Sequence, residues 1–278
     1  MNNVFFFTDI HGHYPLYKAI INYCKNKDKD CLIVYGGDAA DRRPYGYKII
    51  KSLLQEPNVI YLYGNHEQLF VKAAKAILNN YKELNCDYSD VKIILEQMKK
   101  QDDVMYHLAN EGYSTLYDWL LDGANIEVIE ELQSLPRVFT YDKFDFCHAG
   151  GVYSIFQQGL KKPIPNYVET ILIWDRDAIP LGWEKDRIGV FGHTPTLYLP
   201  AIIYGRDKSF QNVHPCMWKE LMGAKEKRGG YKIDMDTAVY ATDKAFVLNC
   251  NNLTTTSFTY NVHTDLVKIE ESIQIRSL

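Results

Sequence analysis

The chain opens with short apolar runs separated by polar, glycine-bearing turns: Val4-Phe5-Phe6-Phe7, Cys31 to Tyr35 and Val59 to Tyr63. Each has the length and the β-branched or aromatic content of a strand, and near-continuous apolarity predicts a parallel sheet covered on both faces. Between them the apolar spacing around Leu16 to Tyr23 and Tyr45 to Leu54 has a helical period, so the first 67 residues read as a β-α-β-α-β unit. From Gln68 to Leu135 the pattern turns mostly helical, with segments at Leu69 to Tyr81, Ser89 to Lys100, Glu111 to Leu121 and Ile126 to Leu135, the last closed by Pro136. This reads as a helical insertion at about 68–135 within a single domain covering 1–278. Strand runs return at Phe144 to Cys147, Ile188 to Phe191, Ala245 to Leu248 and Thr254 to Tyr260, the last two forming a hairpin across Asn249 to Leu253. The stretch from Ala201 to Gly230 mixes Gly, Lys, Arg and isolated aromatics and reads as a variable, partly ordered loop.

Composition narrows the function classes. Hydrophobic residues at 46% and charged residues at 24% exclude disorder and coiled coil as descriptions of the chain. Lys+Arg 31 against Asp+Glu 35 gives a net charge of −4, so no overall positive field exists to hold a polyanion. Chemistry on phosphate must then rest on local groups or on metal, and nucleic-acid partners are not expected. The six cysteines are scattered without a C-x-x-C pair, which suits reduced thiols and a cytoplasmic setting. No run is long enough to span a bilayer and no signal-peptide pattern is visible, so no membrane partner is expected.

The ends of the predicted strands carry the chemistry. Five are followed by a polar group beside glycine: Asp9-Ile10-His11-Gly12, Gly37-Asp38, Gly64-Asn65-His66-Glu67, His148-Ala149-Gly150 and Gly192-His193-Thr194. Ligands gather at the carboxyl ends of parallel strands, so these loops are expected to converge on one crevice. Asp9 and His11, two apart, would point to the same side of an extended backbone. The donor set is oxygen and nitrogen only, namely Asp9, His11, Asp38, Asn65, His148 and His193, and suits a first-row divalent ion better than a thiolate zinc site. Asp38 is the natural carboxylate to serve two ions at once. Taken singly, each of these is an ordinary turn residue or structural histidine. Their recurrence at strand end after strand end has no such explanation.

The series Asp9-Ile10-His11, Gly37-Asp38-Ala39-Ala40-Asp41-Arg42, Gly64-Asn65-His66-Glu67, His148-Ala149-Gly150 and Gly192-His193-Thr194 resembles the calcineurin-like metallophosphoesterase superfamily, with its D-x-H, G-D-x-x-D-R, G-N-H-E, H-A-G and G-H-T motifs. Asp41-Arg42 and Trp174-Asp175-Arg176 make it similar to the phosphoprotein phosphatase branch, which includes bacteriophage lambda-type phosphatases and symmetrical diadenosine tetraphosphatases. The resemblance runs from Phe5 to about Val247 and implies an α/β fold, a four-layer α/β/β/α sandwich whose second sheet the later strands would complete. It implies two divalent metal ions, manganese foremost with Fe, Zn, Co or Ni as alternatives. Asp9, His11 and Asp38 would hold the first, and Asp38, Asn65, His148 and His193 the second. It further implies His66 as general acid, Asp41 as the carboxylate that orients it, and Arg42 and Arg176 as a clamp on phosphate oxygens. Two ions in such a site activate water and polarise a phosphoryl oxygen, so no protein nucleophile is needed.

The expected activity is a metal-dependent phosphomonoesterase resembling serine/threonine protein phosphatases, acting on a phosphorylated protein or a small phosphoester. Dinucleoside polyphosphate hydrolysis and nucleotide phosphodiester cleavage are the alternatives. A catalytically silent binding protein is the alternative of another class, and it predicts a broken ligand or a missing acid. Three departures stand out. Arg43 occupies the position where the family carries glycine, Lys232 to Ala238 matches the family's late I-D-T-G strand loosely, and neither the helical insertion nor the 201–230 loop has a counterpart.

Overall fold

The computed structural model describes residues 2–84, 87–204, 213–219 and 229–277. The chain starts β1 (Val4–Phe7), α1 (Tyr14–Lys27), β2 (Leu32–Tyr35), α2 (Gly46–Gln55) and β3 (Val59–Tyr61). The helices α3 (Asn65–Leu84), α4 (Val91–Met98), α5 (Asp102–Ala109), α6 (Tyr113–Leu121) and α7 (Ile126–Ser134) follow, then β4 (Val138–Tyr141) and β5 (Phe144–Cys147). Next come α8 (Tyr153–Gly159), α9 (Asn166–Trp174), β6 (Ile188–Phe191), α10 (Leu199–Tyr204), β7 (Cys216–Trp218) and β8 (Tyr231–Asp234). The chain closes with α11 (Val239–Thr242), β9 (Lys244–Asn249), β10 (Thr254–Asn261), β11 (Leu266–Gln274) and β12 (Arg276–Ser277).

The strands make two six-stranded sheets, in the orders β11-β10-β9-β1-β2-β3 and β12-β7-β8-β6-β5-β4. The period-two alternation of side chains explains how they stack. Val4 and Phe6 of β1, Phe144 and Phe146 of β5, Ile188 and Val190 of β6, and Phe246 and Leu248 of β9 form one cluster between the sheets. Phe6 stacks on Phe146 across that interface with ring centroids 5.4 Å apart. The alternate residues Phe5, Phe7, Ile33 and Tyr35 belong to a second cluster with Leu16, Ile20, Ile49 and Ile50 of α1 and α2. Each such side chain taken out of water contributes about 1.5–3 kcal/mol, so a strand buried on both faces is pinned in register from both sides. On the outer face of the second sheet Trp183 lies over Gly189, and Phe156 of α8 meets it edge-on at 5.7 Å.

Several elements differ from expectation. The later strands do not all complete the second sheet: β9 pairs antiparallel with β1 and carries β10 and β11 into the first sheet. The pattern of Lys244 to Asn261 marks a hairpin, and strand content alone does not reveal which sheet a hairpin joins. Helices α5, α8 and α9 and strands β4, β7, β11 and β12 are not among the elements expected from the pattern, and β8 falls on the stretch Lys232 to Ala238 that matches the family strand only loosely. Within the stretch read as a loop, α10 and β7 are formed, while residues 205–212 and 220–228 lie outside the described residues, as does Cys86. The other five cysteines are buried. Among the described residues no helix is long and apolar enough to cross a membrane.

Three strands of each sheet run parallel, β1-β2-β3 and β5-β6-β8, and the loops at their carboxyl ends meet along one edge of the sandwich.

Candidate functional site

The loops after β1 and β2 are tied together by backbone bonds from Asp9 N–H to Gly37 O at 3.0 Å, His11 N–H to Asp38 O at 3.0 Å and Gly12 N–H to Ala39 O at 2.9 Å. The polar residues are delivered by left-handed turns. Asp9 (φ 55°), His11 (44°), Asp38 (59°), Asp41 (70°), Arg42 (65°) and His193 (69°) all have positive φ. The extended backbone expected at Asp9-Ile10-His11 is therefore not what aims them, because the tight crossing of two loops forces both residues out of the β region. Such residues cost on the order of 1–3 kcal/mol each and concentrate at functional sites. Arg43 keeps a negative φ while Asp41 and Arg42 take the turn, so the missing family glycine is accommodated one residue early. Gly64 has a separate reason: a Cβ there would lie 2.3 Å from Asp38 Oδ1.

The structure brings His11, Asp38, His66, His148 and His193 into two overlapping groups of potential metal ligands, His11-Asp38-His66 and Asp38-His148-His193, all buried. Asp38 is common to both, its Oδ2 3.7 Å from His11 Nε2 and its Oδ1 3.3 Å from His148 Nε2. Asn65 Oδ1 sits 2.9 Å from His148 Nε2 and 2.8 Å from His193 Nδ1. Asp9 lies alongside these groups, where its carboxylate accepts the His193 backbone N–H and the Thr8 hydroxyl.

The ring tautomers test whether these residues suit a cation. His11 Nδ1 faces the Ala40 carbonyl at 2.9 Å, His148 Nδ1 the Gly36 carbonyl at 2.8 Å and His193 Nε2 the Trp174 carbonyl at 3.2 Å. With one ring N–H of each directed to backbone, each opposite nitrogen faces Asp38 or Asn65 and offers a lone pair to a cation once any proton on it is released. Electron-rich atoms converging on common points are what a bound cation resolves, and a backbone acceptor behind each imidazole is the usual support of a metal-ligating histidine. The donor set therefore fits divalent ions.

The electrostatics of these side chains agree. Burial lifts the Asp9 carboxyl well above the usual range, with Asp236 beside it adding to the shift. Burial likewise pushes Asp236 up to about 6. At Asp38 burial acts upward, but His148 and His66 outweigh it and hold the carboxyl well below its ordinary value. Burial disfavours the charged His148 ring, yet Asp38 and Asp9 raise it to about 10. Metal binding at these groups would release the protons they hold.

The second part of the cleft is the His66-Asp41 pair. His66 Nδ1 is 2.8 Å from Asp41 Oδ2, while its Nε2 faces Arg42 Nη2 at 3.3 Å. Burial acts to lower the His66 pKa, but Asp38 and Asp41 together raise it above the ordinary value. Arg42 lies over the Tyr240 ring, 4.0 Å from its centroid. Arg176 is exposed at the rim, its Nη2 3.5 Å from the His193 carbonyl oxygen.

Residue patterns missed several members. Glu67, fully buried, accepts the N–H groups of Asp38 (2.8 Å), Ala39 (2.8 Å) and Gly64 (2.9 Å) and the Tyr61 hydroxyl (2.9 Å), cross-bracing the loops after β2 and β3. It stands in the G-N-H-E motif, but nothing in the spacing says what it binds. Asp234 and Asp236, buried at the end of β8, add a sixth loop; their D-x-D spacing after a strand is the signal that was available. Tyr240 and His107, the latter bonded to Asp41, had no local signal at all. In Glu67→Gln an amide N–H₂ faces N–H donors. Thermal melts should show a loss of about 1–3 kcal/mol for each donor left unpaired. Metal titration should show roughly 10–100-fold weaker binding.

The family model described as calcineurin-like phosphoesterase matches residues 3–223. The chain belongs to that family. It is accordingly a phosphoesterase of the metallophosphoesterase superfamily, whose members use a dinuclear divalent metal site. No match is found among curated proteins. Among solved structures, a cold-active protein tyrosine phosphatase from a psychrophilic Shewanella species is similar at 15% identity and TM-score 0.50, over 98% of this chain and 80% of that one. A putative diadenosine tetraphosphatase gives 13% identity and TM-score 0.44, over 98% and 94%. A protein serine/threonine phosphatase from Saccharomyces cerevisiae gives 14% and 0.43, over 99% and 81%.

Proposed function

We propose that this phosphoesterase hydrolyses phosphomonoesters in the manner of serine/threonine phosphatases. The observation that carries the reading is the placement of a hydrogen-bonded His66-Asp41 pair and the Arg42 guanidinium at two candidate ligand groups that share Asp38, with His66 itself at the edge of the first. Asp9, His11 and Asp38 would hold one divalent ion, and Asp38, Asn65, His148 and His193 the other, with manganese the first choice. When bound, the ions supply activation of water and polarisation of the phosphoryl oxygen. The protein's own groups then have distinct tasks. Asp41 accepts the His66 Nδ1 proton and aims the ring. His66 delivers a proton from Nε2 to the leaving oxygen as its bond to phosphorus breaks, which requires Arg42 to turn from Nε2 towards the phosphate. A guanidinium matches paired phosphate oxygens, and Arg42, lying over the Tyr240 ring beside His66, is better placed for this than the exposed Arg176.

The silent binding protein is disfavoured by an intact set of ligands, acid and orienting carboxylate. A second reading, a dinucleoside polyphosphate as substrate, is favoured by an open groove of about 310 Å³ that includes Lys72, Tyr106 and Trp174. Gln68, Leu69 and Lys72 of α3, the helix that starts at the proposed ligand Asn65, line the groove, and Trp174 in it stands edge-on to His193 at 6.0 Å. Assay of the manganese-loaded protein against phosphopeptides, dinucleoside polyphosphates and phosphodiesters decides between them. Phosphopeptide turnover well above the others is expected, and a native preference for diesters overturns the monoesterase reading.

The arginines give a further check. A monoester offers one more free oxygen and one more negative charge than a diester. Arg42→Ala should therefore lower kcat/KM on monoesters by on the order of 10²-fold, and Arg176→Ala by a smaller factor, with diester cleavage much less affected. Lysine should rescue Arg42→Ala poorly, since a point charge lacks the two-pronged geometry. Wild-type monoester kinetics in both variants would remove the clamp.

A further inference from the structure

Helices α5 and α6 contribute nothing to the candidate ligand groups, yet the Asp41 loop is held by this part of the chain at three points. The Arg42 backbone N–H donates to the Glu111 carbonyl at 3.1 Å, and the Asp41 N–H donates to Thr115 Oγ1 at 2.9 Å. His107 of α5 places Nε2 2.8 Å from Asp41 Oδ1 and 3.0 Å from Oδ2. Both His107 and Asp41 are fully buried. His107 Nδ1 has no partner among the described residues, so the ring proton belongs on Nε2, where the carboxylate accepts it. The fit is specific: a Cβ on Gly112 would lie 2.3 Å from that Nε2, and Phe70 backs the ring at 5.9 Å.

We propose that His107 is a positioning residue for leaving-group protonation, acting through Asp41 on His66. The inference rests on the reading of His66 as the acid. The terminal torsion of an aspartate is broad, so a carboxylate gripped by one donor can swing and carry its partner with it. With His66 Nδ1 at Oδ2 and His107 Nε2 at Oδ1, both oxygens are engaged and the carboxylate plane is set. His66 Nε2 is then held in one direction, towards the cleft. The helical insertion thus takes part in the chemistry from behind the site, without touching substrate.

The test uses the full chain loaded with manganese and two substrates, nitrophenyl phosphate, whose leaving group needs no proton, and glycerol phosphate, whose leaving group does. His107→Phe is expected to lower kcat on glycerol phosphate by about 10–100-fold, as losing an outer support does, and to change nitrophenyl phosphate turnover by less than about threefold. His107→Gln, which retains an N–H donor, is expected to recover most of the loss. Equal losses on both esters, or wild-type kinetics in His107→Phe, overturn the proposal. His66→Asn measured in parallel separates the two failures. If its loss is equal on both esters, the acid reading falls; if its loss is selective while that of His107→Phe is not, only the positioning role falls. Should the Phe variant not fold, ¹⁵N NMR of the wild-type protein decides. A His107 proton on Nε2, together with glycerol phosphate turnover near wild type in His107→Gln, supports the role, and a proton on Nδ1 or a His107→Gln loss equal on both esters overturns it.

Discussion

Asp38→Ala is expected to abolish phosphoester turnover and to strip metal from the protein. Asp38 is the one residue common to both candidate ligand groups, so its loss weakens two sites at once. Removing an outer support of a metal site costs about 10–100-fold, and removing a shared ligand should exceed that, to on the order of 10³-fold or more in kcat/KM. Elemental analysis of the purified variant should show metal content near zero, and added manganese should not restore activity. Chelation of the wild-type protein should abolish turnover, with manganese restoring it. Full activity in a rigorously metal-free preparation would sink the two-ion reading. The pH dependence adds an independent check. In the folded, metal-free chain the His148 pKa is raised to about 10 from an ordinary 6.5. Its protonated ring therefore contributes stability fully below about pH 6.5, and that contribution is lost as pH rises through about 10. Ions replace those protons, so the rise in Tm on adding manganese should grow between about pH 6 and pH 9. A shift in Tm that shrinks over that range would count against His148 as a ligand.

The second large effect concerns His66. His66→Asn should lower kcat on alkyl phosphates by roughly 10²–10⁴ while leaving metal content near normal, because on the proposed reading His66 is the acid and not a ligand, and leaving-group protonation is what is lost. On nitrophenyl phosphate the loss should shrink towards unity. Asp41→Asn should give a milder version of the same profile, because the ring remains but its orientation loosens. Asp41 is also the residue on which two imidazoles converge, and those imidazoles, outweighing its burial, hold its carboxyl far below the usual range. Its negative charge is thus secure at any working pH. Equal losses on alkyl and nitrophenyl esters in His66→Asn would remove the acid assignment and leave the metal site untouched.

Residues adjacent in sequence and tied to a strand end were legible without a structure. A short apolar run followed by glycine and a polar group is a local pattern, and β1, β2, β3, β5 and β6 each deliver their loop where that pattern predicts. Those loops supplied Asp9, His11, Asp38, Asn65, His148 and His193, together with His66 and its Asp41 partner at 2.8 Å. Folding is cooperative over long separations, and there the sequence was silent. Whether a hairpin such as β9-β10 adds to one sheet or the other depends on which edge is open when the sandwich closes, and no property of the hairpin itself records that. The same holds for the supports of the site. Glu67 gathers donors from two loops, Tyr240 lies under Arg42 from the far side of the chain, and His107 reaches Asp41 across 66 residues. A hydrogen bond between distant residues leaves no periodicity behind, since a buried histidine in a helix looks the same in sequence whatever it faces. The sequence by itself thus named the candidate donor atoms and the chemistry proposed for them. Only the tertiary structure decided how each donor is aimed, because aim depends on left-handed turns, ring tautomers and second partners that exist once the two sheets have closed.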